Sequence, residues 1–129
     1  MIRQESIDIL NKGYQDTYPF PHIVIDHFLE MDSLDKIVAE LRTMNSNDAY
    51  YKATNKPNAL EFNKFAFKSN LPSTIDQLFK ELVSESFVQS IEKLTGIPSI
   101  IANDLSLAGA GVHRIHTDGY LAIHTDFNT

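Results

Sequence analysis

His124 and Asp126 stand two residues apart in the run Gly119-Tyr120-Leu121-Ala122-Ile123-His124-Thr125-Asp126-Phe127-Asn128. Side chains alternate across an extended segment, so an imidazole and a carboxylate at this spacing project to the same side. They are two of the three ligands of a 2-His-1-carboxylate facial triad. That triad holds non-haem Fe(II) and keeps positions open for O2 and a co-substrate. Only Thr129 follows Asn128, so a third ligand has to come from elsewhere. A direct hydrogen bond between His124 and Asp126 accounts for the pair equally well. Either arrangement relieves the cost of burying an unpaired imidazole and carboxylate. Tyr120, four residues before His124, shares its face by alternation. The Tyr120 hydroxyl could bind a carboxylate in an oxygenase pocket, or the residue could serve simply as an amphipathic strand side chain.

His-x-Asp occurs a second time, at His116-Thr117-Asp118. With five His and ten Asp in the chain, chance alone supplies roughly 0.4 such pairs, so context has to separate the two. Asp118 precedes Gly119, and an Asp-Gly hairpin turn explains it without a metal. His113 and His116 read as partly exposed polar residues; the alternative is that hairpin pairing brings one of them near His124 as a makeshift third ligand. His22 and His27 flank an apolar run and carry no assigned role. Gly109-Ala110-Gly111 lacks the glycine spacing and the following helix that a phosphate cradle requires. There is no Gly-x-Ser-x-Gly elbow. Cysteine is absent, which excludes disulfides, a thiolate zinc site and a Cys nucleophile, and suits a reducing compartment.

The remaining composition is that of one ordinary domain, 1–129, with 43% hydrophobic and 22% charged residues. A net charge of -6 and no basic stripe argue against a sequence-independent grip on nucleic acid. The N-terminal run Met1-Ile2-Arg3-Gln4-Glu5-Ser6-Ile7-Asp8 carries acids where a signal peptide has its apolar stretch. No apolar stretch approaches the roughly 20 residues of a membrane helix. A cytoplasmic protein without membrane contact is expected.

The elements that must position these residues follow from periodicity and caps. Residues 4–18 read as a short helix or an arm. Tyr18-Pro19-Phe20-Pro21 forces an extended chain, and β-branched Ile23, Val24 and Ile25 predict a strand after it. Asp32 or Ser33 caps a helix through about Met44, with Leu34, Ile37, Val38 and Leu41 on one face. Residues 45–60 read as a loop and 61–67 as a strand with imperfect alternation. Pro72 opens a second helix with Ile75, Leu78, Phe79 and Leu82 on its buried stripe. Ser84 caps a third, with Phe87, Val88, Ile91 and Leu94 apolar, and Gly96 stops it. Residues 98–107 look β-like. Val112 to His116 and Tyr120 to Phe127 are expected to form a hairpin through Asp118-Gly119. Helices first and strands after is the α+β pattern.

In order and spacing, four stretches resemble the 2-oxoglutarate- and Fe(II)-dependent dioxygenases of the prolyl-4-hydroxylase-like branch. They are Pro19 through Leu29; Leu71-Pro72 with Leu82-Val83-Ser84-Glu85-Ser86-Phe87; Leu94-Thr95-Gly96-Ile97; and Gly111-Val112-His113 through Asn128. The resemblance implies an α+β fold in which N-terminal helices pack on an incomplete double-stranded β-helix of the jelly-roll or cupin type. It maps the two strand-borne iron ligands onto His124 and Asp126, and makes Tyr120 a candidate for the co-substrate carboxylate. Fe(II) and 2-oxoglutarate are the implied cofactors, with ascorbate an optional addition. The implied activity is hydroxylation of a small molecule or a protein side chain. Family members continue with further strands, a distal His and an Arg or Lys for 2-oxoglutarate, which these residues do not supply. The expectation is therefore the N-terminal half of such an oxidoreductase, inactive by itself. The alternative is a non-catalytic remnant of the fold acting as an interaction or structural module. In either case open sheet edges invite pairing with a second copy.

Overall fold

Helices form where apolar periodicity and a cap coincide, and strands form where a partner is within reach. The computed structural model describes residues 1–8, 13–54 and 60–125. Among them the elements run α1 (Gln4–Asp8), α2 (Met31–Thr43), a 3-10 turn (Ser46–Asp48), β1 (Tyr51–Ala53), β2 (Glu61–Phe67), α3 (Ser73–Leu82), α4 (Glu85–Thr95) and β3 (Val112–Leu121). The fold class is α+β, as expected, although β1 and β2 precede α3 and α4 instead of following the helices. The chain divides into two compact units. One comprises Met1–Thr43 and Pro72–Ser106, the other Met44–Leu71 and Leu107–Thr129. No helix among the described residues is long and apolar enough to cross a membrane.

The first unit is helical. Ile37 of α2, Ile75 of α3 and Val88 and Leu94 of α4 are buried, each from the stripe that its helical spacing defines. The α4 boundaries follow the sequence signals. Ser84 accepts the Phe87 N–H at 3.3 Å, and Gly96 closes the helix in the left-handed conformation at φ 73°. The start of α3 is built differently, because Pro72 has no side chain that can cap. Glu40 of α2 takes that role. Its carboxylate accepts the Thr74 N–H at 2.9 and 3.0 Å, the Ile75 N–H at 3.0 Å and the Ser73 hydroxyl at 3.3 Å. Burial works to raise the Glu40 pKa, but these hydrogen bonds outweigh it and hold the carboxyl below its ordinary value. A second carboxylate, Glu81 of α3, accepts the Ile2 N–H at 2.9 Å and lies 3.8 Å from the Met1 ammonium, which also pairs with Glu30 at 3.4 Å.

Two expected strands of this unit do not form. Residues 22–25 are irregular and Val24 is 74% exposed. Nearby pairing is limited to an isolated antiparallel bridge between Ile2 and Leu29. β-Branched residues favour a strand only against a neighbour, and none is supplied among the described residues. Residues 98–107 are likewise irregular. The Ile100 N–H goes to the Glu92 carboxylate at 2.8 Å, the Asn103 N–H to the Val83 carbonyl at 2.6 Å and the Ser106 N–H to Asp104 at 2.9 Å. Ser99, Asn103 and Leu107 take positive φ. Two carboxylates and the Val83 carbonyl have taken backbone donors that a ladder would need.

The second unit is a three-stranded antiparallel sheet in the order β1-β2-β3. Phe65 and Phe67 of β2 form its core with Ala49, and Met44, Leu71 and Val112 pack around them. Across the opposite face Tyr51, Ala66 and His113 lie in one cross-strand row. On that side Lys64 meets Glu61 at 2.8 Å, and the Tyr51 hydroxyl donates to the same carboxylate. The Lys64 hydrogen bond, then that from Tyr51, holds Glu61 below the usual carboxylate range; donation to Glu61 pushes the Tyr51 phenol up.

The sheet also departs from the expected order. Residues 45–60, read as a loop, contain the 3-10 turn and β1. The expected hairpin at Asp118-Gly119 is absent. β3 runs on from Val112 to Leu121, with both halves paired to β2: Phe67 opposite Val112 through Lys64 opposite Ile115, then Phe62 opposite Tyr120 and Glu61 opposite Leu121. Between these stretches the four residues 116–119 face Asn63 alone. Asn63 and Asp118 both take positive φ, at 52° and 63°. The Asp-Gly pair thus marks a wide bulge, not a reversal. Gly119 is required there because a Cβ would meet the His116 carbonyl oxygen at 2.8 Å and the Phe62 carbonyl oxygen at 2.9 Å.

Candidate functional site

Beyond Leu121 the chain leaves the ladder. One further bond, from the Ala122 N–H to the Leu60 carbonyl at 2.6 Å, ties it to the residue just ahead of β2 before His124. The strand expected through Phe127 therefore ends at Leu121 among the described residues. His124 follows as an irregular, exposed residue. Asp126, the carboxylate of the expected pair, lies outside the described residues.

His124 is nevertheless oriented. Its Nδ1 lies 2.7 Å from the Ala122 carbonyl oxygen, two residues back. A carbonyl only accepts, so Nδ1 carries the proton and the lone pair of the neutral ring sits on Nε2. Metal-binding imidazoles are commonly held this way, with one ring N–H on a backbone carbonyl and the other nitrogen toward the ion. Tyr120 is part of β3, opposite Phe62, and their ring centroids are 6.3 Å apart at 42°. It is 38% exposed on that strand.

The other histidines are distributed. His113 belongs to the Tyr51–Ala66 row and contributes a favourable charge to Glu61. His116 lies in the bulge, with Nε2 2.8 Å from the Ser46 hydroxyl oxygen and its ring edge-on to Phe65 at 4.8 Å. The His22 Nδ1 is 2.8 Å from the Phe20 carbonyl. His27 takes φ 52°. Among the described residues no three His, Asp or Glu side chains converge as a metal-binding group. The Ser46–His116 pair escaped the sequence reading. Its members are seventy positions apart, and nothing short of the β2–β3 register reveals that they meet. No family model, characterised protein or solved structure matches the chain.

Proposed function

We propose that the chain carries the first two ligands of a non-haem iron centre, His124 through Nε2 and Asp126 through its carboxylate, in an oxygenase of the 2-oxoglutarate-dependent kind. The observation that supports this is the Nδ1 hydrogen bond of His124 to the Ala122 carbonyl, which sets the ring tautomer and leaves Nε2 as the nitrogen that carries the lone pair. Asp126 is two positions further along, within the reach of one chelating segment. When bound, Fe(II) with 2-oxoglutarate would supply the activation of O2 for oxidation of a substrate C–H bond. The chain's own contribution is to hold the first ligand by its second nitrogen. Tyr120, on β3 just ahead, would offer its hydroxyl to a co-substrate carboxylate. On this reading β1, β2 and β3 are the opening strands of a double-stranded β-helix.

Two protein ligands compete poorly with water for Fe(II), so weak binding and no 2-oxoglutarate turnover are expected of the 129 residues. Anaerobic Fe(II) titration tests the assignment. His124→Ala and Asp126→Ala should each abolish the binding, and His116→Ala should leave it intact. Loss of binding in His116→Ala alone would move the site to the bulge, and stoichiometric succinate would require a third ligand within the chain. A second reading, a non-catalytic interaction module, is favoured by the outer edges of β1 and β3, which pair with no further strand among the described residues. It requires that no variant of His124 or Asp126 alters metal binding.

A further inference from the structure

We propose that Ser46 and His116 form a nucleophile–base pair able to take an acyl group from small activated esters. The Ser46 Oγ lies 2.8 Å from the His116 Nε2, within the reach that general-base activation of a hydroxyl requires. Both partners are fixed. The Asn45 side chain accepts the Asn47 N–H at 2.9 Å and shapes the 3-10 turn that begins with Ser46. Arg114 of β3 donates to the Met44 carbonyl at 2.7 Å and ties the approach to that turn against the strand. The His116 ring stands edge-on to buried Phe65, with centroids 4.8 Å apart at 88°.

The backbone argues for more than an incidental contact. His116 opens the four-residue bulge of β3, a device that re-aims a side chain out of the regular pleat. The bulge keeps two non-glycine residues in the left-handed region, Asn63 at φ 52° and Asp118 at φ 63°. Asn63 also donates its side-chain amide to the Thr117 carbonyl at 3.0 Å and locks that geometry. Asn and Asp are the non-glycine side chains that adopt this region most readily, so the sequence supports the bulge at both positions. The result is an imidazole set over a serine hydroxyl. Ser46 is half-buried and His116 exposed, so the pair is open to a small acyl donor.

In the step that follows, Ser46 Oγ forms a bond to the ester carbonyl carbon while its proton passes to the neutral His116 Nε2. The tetrahedral adduct collapses with cleavage of the bond to the leaving oxygen, which takes the proton from Nε2. Water, deprotonated by the same imidazole, then attacks the acyl-Ser46 ester and releases the carboxylic acid. Ester and water become acid and alcohol, with no oxidant or metal consumed.

The test uses the full chain with p-nitrophenyl acetate, following p-nitrophenolate release and mapping acetyl groups by peptide mass spectrometry. An acetyl on Ser46 is expected, abolished in Ser46→Ala and formed about 100-fold more slowly in His116→Gln. His113→Gln, in the neighbouring cross-strand row, should acylate at the parent rate. Circular dichroism of each variant confirms that the sheet is retained. Acetyl groups confined to lysines, the N-terminus or His116 would overturn the proposal, as would equal Ser46 acylation in His116→Gln.

Discussion

The helical unit and the sheet unit solve the same problem, the pairing of backbone donors, over different distances. In the helical unit, carboxylates complete what the helices leave open: Glu40 caps α3, Glu81 takes the Ile2 N–H and Glu92 the Ile100 N–H. In the sheet unit the donors are satisfied by pairing β2 with a strand some fifty residues away, and a mismatch in that pairing is absorbed in one bulge. The first solution leaves the helices regular. The second brings together side chains that are remote in sequence, such as Ser46 and His116, and places Asn63 and Asp118 at positive φ. New chemistry is thus easier to assemble in the sheet unit, where non-local register decides which side chains meet.

The largest test of this contrast is the sheet core. Phe67 is 3% exposed and packs in the cluster with Ala49 and Phe65. Phe67→Ala should lower stability by about 3–5 kcal/mol, read as a fall in the urea midpoint with loss of amide protection in β2 and β3. A loss under ~1 kcal/mol would mean that the sheet is held by its ladder and not by its aromatic core. Two glycines sharpen the comparison at smaller scale. Gly119→Ala places a methyl against backbone oxygens of His116 and Phe62, which can yield only if the bulge moves, so about 1–3 kcal/mol is expected, with a shifted His116 ring resonance. Gly96→Ala, at the αL end of α4, meets only the tip of the Gln15 side chain and should cost about 1 kcal/mol, mainly from its positive φ. The reverse order would mean that the bulge is the more adaptable of the two.

The same contrast explains what the sequence reveals. α4 falls where spacing and caps place it, because a helix is specified within a few residues and Ser84 and Gly96 announce their roles locally; α2 and α3 follow their apolar spacing, but α2 starts at Met31, ahead of the expected Asp32 or Ser33 cap, and α3 takes its cap from Glu40. β2 is also recoverable, although only Phe65 and Phe67 keep the alternation and Phe62 falls out of it. The run His22 to Ile25 has the composition of a strand and no partner, and residues 98–107 lose their donors to Glu92 and Asp104. Asp118-Gly119 is ambiguous in principle: the same dipeptide serves a turn or a bulge, and only pairing of Phe62 with Tyr120 selects the bulge. Of the candidate iron site, His124 is legible as a residue type at the right spacing from Asp126. Its Nδ1 contact depends on where β3 ends, which no local signal in the run from Tyr120 to Thr125 declares.

The pH-dependent effects concern two carboxylates that hold the units' polar contacts. Glu61 in the sheet and Glu40 in the helical unit are both depressed below their ordinary values, Glu61 chiefly by the Lys64 and Tyr51 hydrogen bonds and Glu40 by the donors at the start of α3 against the opposing effect of burial. A carboxyl lowered on folding stabilises fully above its unfolded pKa, about 4.3. That contribution is lost as pH falls through the lower, folded value. Glu61→Gln should cost about 2 kcal/mol at neutral pH, since it leaves half-buried Lys64 without its charge partner. Glu40→Gln should cost about 1 kcal/mol, because an amide oxygen still accepts from Thr74 or Ile75 but without the charge that favours a helix N-terminus. Both variants should flatten the acid limb of a stability-against-pH curve below about pH 4.3, and neither should change it between pH 6 and 8. An unchanged acid limb in Glu40→Gln would assign the α3 cap to neutral hydrogen bonding alone, and the helical unit would then owe its order to apolar stripes and not to its carboxylates.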